Sequence, residues 1–281
     1  MQEYYFLFAL ALVYTLFATI QDLKYREVAN WLSFSFIAFA LAYRAFFSIA
    51  TDNLSFFLFG LFGFLIMFAL GNAFYYMKAF AGGDAKLLMG FGIILPYQTY
   101  LQLLFLPLLL VLTLFLSGAV YSLFYSIFIV LKNKKQFTRE FNKLSRNWKF
   151  TLTISTILVP VFVLLGFYQY LFFPLAILAL LHLTFIYTKS LEKCMLILTP
   201  PESLTEGDWL EKEIKLNSKI TIQKSVHGLS FQDIQLLRKY HKSALIKQGI
   251  PFVPAFLITL IITALFFSAL LPLPSLFSFL P

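Results

Sequence analysis

The sequence predicts an all-α integral membrane protein of about eight transmembrane helices, a six-helix core plus two, with a small α+β cytoplasmic insert. Three observations predict it. Of 281 residues, 60% are hydrophobic and only 12% are charged, too little polar surface for a soluble domain of this size. The apolar residues fall in long blocks, at 4–20, 31–50, 54–77, 87–131, 151–187 and 252–271. The basic residues are confined almost entirely to the segments between those blocks.

A span needs about 20 apolar residues to cross about 30 Å of hydrocarbon, so the two longest blocks must be divided. Residues 87–131 would make a helix of about 68 Å, which is two spans. Their most polar break is Pro96-Tyr97-Gln98-Thr99-Tyr100, with two tyrosines suited to an interface. Residues 151–187 divide near Gln169-Tyr170, with Pro174 just beyond. The predicted spans are 4–21, 31–50, 54–77, 85–101, 103–131, 150–168, 171–188 and 252–271.

Charge orients them. Glu3 precedes the first block, whereas Lys24 and Arg26 follow it, the reverse of a cleaved signal peptide. This places an uncleaved first span with its N-terminus outside. The inner segments are then 22–30, 78–86, 132–149 and 189–250, and they hold 21 of the 22 Lys and Arg residues. The exception is Arg44, inside the second span and about six residues from its outer end, close enough to snorkel outward or to pair helices. The net charge of +9 concentrates in a loop with Lys132, Lys134, Lys135, Arg139, Lys143, Arg146 and Lys149, interleaved with Phe137, Phe141 and Trp148. Membrane lipids with anionic headgroups are the expected neighbours of this loop, rather than nucleic acid.

The expected organisation is a transmembrane core at 1–190, an insert at 191–250, and a last span and tail at 251–281. In the insert, 219–226 partly alternates like a strand. Ser230 is placed to cap a helix from Phe231 to about His241, with Asp233 at its third position and Ile234, Leu237 and His241 on one face. Cys194 is the single cysteine, so neither a disulfide framework nor a thiolate metal site is expected. His227 and His241 lack metal-ligand spacing, and His182 reads as a satisfied interior histidine. Pro254, Pro272 and Pro274 flank the last span and are expected to shape its ends. No metal or other cofactor is expected.

Two acids stand out at the membrane boundary. Asp22 ends the first span in Asp22-x-Lys24-x-Arg26-x-Val28-x-Asn30, and Asp84 opens the fourth in Ala81-Gly82-Gly83-Asp84-Ala85-Lys86. The topology puts both at the inner face and at similar depth. Peptide hydrolysis without a metal or covalent nucleophile needs one carboxylate to deprotonate water and one acid to protonate the substrate. Two aspartates about 3 Å apart hold one shared proton and titrate as a unit. Gly82 and Gly83 would let a backbone come close and accept unusual dihedrals before the acid. Lys86 can tune the charge of Asp84 or meet a lipid phosphate. Asn30 can orient Asp22 or cap the second span. Taken singly, each acid also reads as an ordinary interfacial charge and Gly-Gly as an ordinary turn; their joint occurrence on one face favours the catalytic reading.

These two motifs resemble those of the type IV prepilin peptidases, especially the archaeal preflagellin and prepilin peptidases, which are membrane aspartyl proteases of the GxGD group. Asp22 matches the aspartate of the first motif and Asp84 that of GxGD, with Ala81 in place of the first glycine. The resemblance covers roughly residues 1–190, and Glu206-Gly207-Asp208 and Gly249-Ile250-Pro251-Phe252-Val253-Pro254 look like the tail of longer archaeal members. It implies an aspartic endopeptidase in the cell membrane, active at the cytoplasmic face. The implied substrates are pilin-like or archaellin precursors, cut between a short basic leader and a hydrophobic helix. The chain lacks the cysteine-rich loop of bacterial relatives, which implies a protease without methylating activity. Two alternatives remain: a presenilin-like intramembrane protease, whose first aspartate would sit inside a later span, and a transporter using both acids as ion sites, which would place them near the midplane of repeated halves.

Overall fold

The computed structural model describes residues 2–217, 220–225 and 228–270. His227, Pro272 and Pro274 therefore lie outside the described residues, as does part of the strand expected at 219–226. The chain separates into two compact units, residues 1–123 with 250–281, and residues 124–249.

The first unit is built from α1 (Gln2–Tyr25), α2 (Asn30–Ala50), α3 (Leu54–Tyr76), α4 (Gly82–Ile94), the first part of α5 (Tyr100–Lys132), and α10 (Val253–Leu270). Helix α1 stops where Arg26 turns left-handed, at φ 62, while its N–H still donates to the Asp22 carbonyl at 2.9 Å. A residue in that conformation closes the last helical turn. Lys78 does the same after α3, at φ 59. Between α1 and α2 the Gln21 side chain accepts from the Ala29 N–H at 3.0 Å, fixing the path of the short connection.

The expected span at 85–101 is a 13-residue helix, α4. At 1.5 Å per residue it reaches about 20 Å, short of the hydrocarbon thickness. Its last carbonyls would be orphaned in an apolar surround. Arg44 supplies their donors. It is fully buried, donating from Nε to the Ile93 carbonyl at 2.6 Å and from Nη2 to that of Leu95 at 2.7 Å. Its Nη1 donates to the Phe56 carbonyl at 2.7 Å. Of the two roles expected of Arg44, outward snorkelling is corrected and helix pairing is met: the guanidinium turns inward, where its N–H groups bond carbonyls of α3 and of the end of α4. Tyr97 adds a bond from its hydroxyl to the Gly92 carbonyl at 3.0 Å, and Tyr4 donates to the Tyr97 carbonyl at 3.2 Å.

Helix α4 is packed by glycine. A Cβ on Gly63 of α3 or on Gly92 of α4 would overlap the carbonyl oxygen of the other, so the two backbones touch directly. Phe36 of α2 occupies the space beside Gly90 and stacks on Tyr14 of α1, with centroids 5.4 Å apart. Around it the core gathers Leu7, Phe91, Ile93 and Phe256.

The second unit contains the end of α5, then α6 (Lys134–Asn147), α7 (Lys149–Tyr168), α8 (Phe172–Cys194), β1 (Leu196–Thr199), β2 (Trp209–Leu210), β3 (Ile214–Asn217), β4 (Ile220–Ile222), α9 (Phe231–Lys239) and β5 (Ala244–Lys247). The cationic segment expected as a loop is helix α6. Phe137 and Phe141 recur at i, i+4 and stack at 5.7 Å, and Phe137 meets Tyr187 of α8 edge-on at 5.6 Å. Packing that partly covered apolar face against α8 supports a helix in so charged a stretch.

The insert has the expected α+β character. Its strands form an antiparallel sheet in the order β1-β5-β2 and a separate β3-β4 hairpin. Ser230 caps α9: its Oγ accepts from the Asp233 N–H at 3.2 Å, and Asp233 accepts from the Ser230 N–H at 3.0 Å. Ile234 and Leu237 are buried on one face as expected. His241 is not on that face, because α9 ends at Lys239 and His241 lies beyond it, exposed and left-handed at φ 47. His182 packs beside Trp148, with ring centroids 5.8 Å apart. Its Nδ1 has no hydrogen-bond partner among the described residues, so the histidine expected to be satisfied is not. Cys194 is a buried free thiol.

Six helices, α1, α2, α3, α5, α7 and α8, are long and apolar enough to cross a membrane. The described apolar part of α10 is shorter, and α4 is shorter still. The chain is a multi-pass membrane protein, and the expected eight spans correspond to these eight apolar helices, six of which meet the length of a span.

Candidate active site

Asp22 lies one turn before the end of α1, and Asp84 in the first turn of α4. Both are buried, at 6% and 8% exposure. They are close enough for the charge of Asp22 to act on Asp84.

Each carboxylate is held by main-chain donors. The Ala81 N–H donates to Asp84 Oδ2 at 3.2 Å, the reach-back of an acid in the first turn to the residue before its helix. Asp22 Oδ2 accepts from the Val253 N–H at 2.9 Å, a buried bond across 231 residues of chain, and the Phe252 N–H also donates to this carboxylate. Asp22 therefore sits at the N-terminus of α10, where unsatisfied amides and the helix dipole favour an acidic group. The charge of Arg26 acts on Asp22 as well.

The connection after α1 and the start of α4 meet through a glycine. A Cβ on Gly83 would lie 3.2 Å from Cβ of Val28, so a larger residue would push the two motifs apart. Gly82 has more room, with Tyr75 as its nearest neighbour at 3.8 Å. Neither adopts a positive φ. Of the two uses expected for this pair, close approach is present at Gly83, and unusual dihedrals are absent from both.

Lys86 and Asn30 are brought together. The Lys86 ammonium donates to Asn30 Oδ1 at 2.6 Å and lies over the Phe34 ring at 5.6 Å. Asn30 is the first residue of α2, whose N-cap is Ala29 and carries no side-chain cap bond. The Asn30 side-chain oxygen thus serves Lys86 and does not cap the helix.

Sequence reasoning missed the donors on α10, because a backbone N–H leaves no trace in residue type. It also passed over Thr15 and Thr19, seven and three residues before Asp22 and so on its face of α1. Both are buried, and their hydroxyls have no hydrogen-bond partner among the described residues. The polar character of that face was available in the sequence, as Thr-x-x-x-Thr-x-x-Asp.

Residues 7–131 match the family model of the type IV leader peptidase family, a segment that contains both aspartates. A preflagellin peptidase of Methanocaldococcus jannaschii is 35% identical over 81 residues, which cover 29% of this chain and 34% of that protein. A preflagellin peptidase of Methanococcus voltae is 30% identical over 93 residues, covering 33% of this chain and 40% of that protein. The matched segment thus spans between a third and two fifths of these curated relatives. No solved structure matches.

Proposed function

We propose, on the premise that residues 7–131 are a type IV leader peptidase region, that this protein is an aspartic endopeptidase cleaving the leader of preflagellin- or prepilin-like precursors. The observation that carries the reading is the pairing of Asp22 and Asp84: two buried acids on different helix ends, within electrostatic range of each other.

One of the pair, as carboxylate, takes a proton from water, and the oxygen of that water attacks the scissile carbonyl carbon. The other, as carboxylic acid, gives its proton to the carbonyl oxygen, producing a neutral tetrahedral gem-diol. When the C–N bond breaks, the gem-diol returns a proton to one carboxylate, and the leaving amine takes the other. The pair ends with the single shared proton with which it began.

The main-chain bonds give this chemistry a fixed geometry. Asp22 Oδ2 is occupied by the Val253 N–H of α10 and Asp84 Oδ2 by the Ala81 N–H. The acids close the cytoplasmic ends of their helices in this reading, with the N-terminus outside. A precursor presenting a basic leader joined to an apolar helix would meet them at that junction. Gly82, with no atom closer than Tyr75 at 3.8 Å from where a Cβ would stand, leaves room for an extended backbone there. Lys86, held by Asn30, stands two residues from Asp84 and orients the polar edge of the site. No metal or other cofactor takes part in the proposed reaction.

Co-expression of the full chain with a precursor of this kind, scored by loss of the leader, tests the proposal. Asp22→Asn and Asp84→Asn should each remove cleavage while the protein still inserts in the membrane. Full cleavage by either variant ends the dyad reading, and cleavage of a bare transmembrane peptide in preference to the precursor ends the leader-peptidase reading.

A further inference from the structure

Within the second unit, α6, α7 and α8 border an open, groove-like cavity of about 670 Å³, within the range of about 300–1,000 Å³ typical of small-molecule sites. Its lining is divided along its length. Arg146 and Lys149 stand where α6 gives way to α7, whereas Leu152 and Ile157 of α7 and Leu183 of α8 form a mainly apolar wall that also carries Thr153 and Thr156. Leu152 and Ile157 follow Lys149 by three and eight residues, which places them about 4.5 and 12 Å further along the helix axis. Helix α7 is long and apolar enough to cross a membrane, and Lys149 is its first residue. The cations therefore lie at headgroup depth and the wall at acyl-chain depth.

The charges are unspent. Arg146 and Lys149 are exposed and take part in no ion pair among the described residues. No carboxylate lines the cavity. An ammonium-bearing zwitterionic headgroup would find two cations and no counter-charge, whereas a phosphate with net negative charge would find a guanidinium able to bind two oxygens and a lysine beside it. A free phosphate would use the charged end and leave the apolar wall wet. A phospholipid fills both ends.

We propose that this cavity is a discrete site for one anionic phospholipid, with Arg146 and Lys149 on the headgroup phosphate and Leu152, Ile157 and Leu183 along the first part of an acyl chain. The site is independent of the peptidase reading, since every residue named lies on α6, α7 or α8.

The test uses the full chain in detergent, titrated with phosphatidylglycerol or phosphatidylcholine of identical acyl chains and observed by native mass spectrometry. One phosphatidylglycerol should be retained at concentrations where phosphatidylcholine is not. Arg146→Gln with Lys149→Gln should weaken that binding about 30-fold, the worth of two cations at a membrane surface. Lys134→Gln with Lys135→Gln removes the same charge from α6 outside the cavity and should change it less than about threefold. The site is refuted if both double variants lose binding equally, since the attraction is then diffuse. Equal retention of phosphatidylcholine refutes it too, as does glycerol phosphate binding as tightly as the lipid, which would mark a free-phosphate site.

Discussion

Residues 2–123 with 250–270 place polar groups inside an apolar packing, and the charged ones, Arg44 and Asp22, are bonded over long sequence distances. Arg44 reaches carbonyls 12, 49 and 51 residues away, and Asp22 binds an amide 231 residues away, all buried. Residues 124–249 place theirs largely at the surface. The Ser230–Asp233 cap and the Lys242 bond to the Lys215 carbonyl are exposed, and the ion pair of Lys247 with Glu192 is only part-shielded. The difference teaches where substitutions should be costly. In a dry surround a lost partner leaves a group that water cannot rescue, whereas at a wet surface water replaces it.

The sharpest way to break this contrast is Arg44→Met. It should cost about 3–5 kcal/mol, because three charge-assisted bonds to buried carbonyls are lost together, read as a fall in thermal unfolding temperature in detergent. A loss below about 1 kcal/mol would mean that α4 ends without help from Arg44. Gly92→Ala should follow at about 1–3 kcal/mol through overlap with the Gly63 carbonyl, by the same measurement.

Val253→Pro sharpens the contrast at a single atom. Proline is tolerated at the first helical position and deletes one N–H. We expect cleavage to fall about tenfold, the worth of one charge-assisted hydrogen bond, while Val253→Ala, which keeps the donor, falls less. Equal loss in both variants would assign the effect to the side chain.

In the second unit the effects should be smaller. Ser230→Ala should cost about 1 kcal/mol through the lost cap of α9, read by denaturant unfolding. The hydrogen bond from Lys193 holds the Glu211 carboxyl below its ordinary value of 4.5. Because the folded form is the one that binds its proton less readily, this pair stabilises above that pH and its contribution fades as pH falls through the folded value. At a surface pair it should amount to no more than about 0.5 kcal/mol, so Glu211→Gln should flatten only slightly the pH dependence of stability on the acid side. A larger change would break the comparison.

The two regions were also unequally legible. The acids could be found because charge is rare in the apolar blocks and both fall at block ends. The breaks at Pro96–Tyr100 and Gln169–Tyr170 were likewise visible, and α4 and α7 end just before them. The shortness of α4 was missed because the expected span was carried through the break at Pro96–Tyr100 to residue 101, whereas the helix stops at Ile94. Between the two roles open to Arg44 the sequence did not choose, for a related reason. Distance along the chain suggested an outward path, whereas the carbonyls that claim it belong to α3 and α4. In the charged segment 132–149 the i, i+4 aromatics could be read, but their partner Tyr187 could not.

Sequence by itself determined the membrane character, the approximate helix ends, the cap of α9 and the identity of the two acids, because each follows from hydrophobic length, rare charge or contacts within one turn. Tertiary structure decided that Arg44 turns inward, that Gly83 brings Val28 against α4, and that amides of α10 hold Asp22. Those are choices among partners remote in sequence, set by which backbone groups and side chains the packed helices bring within reach of one another.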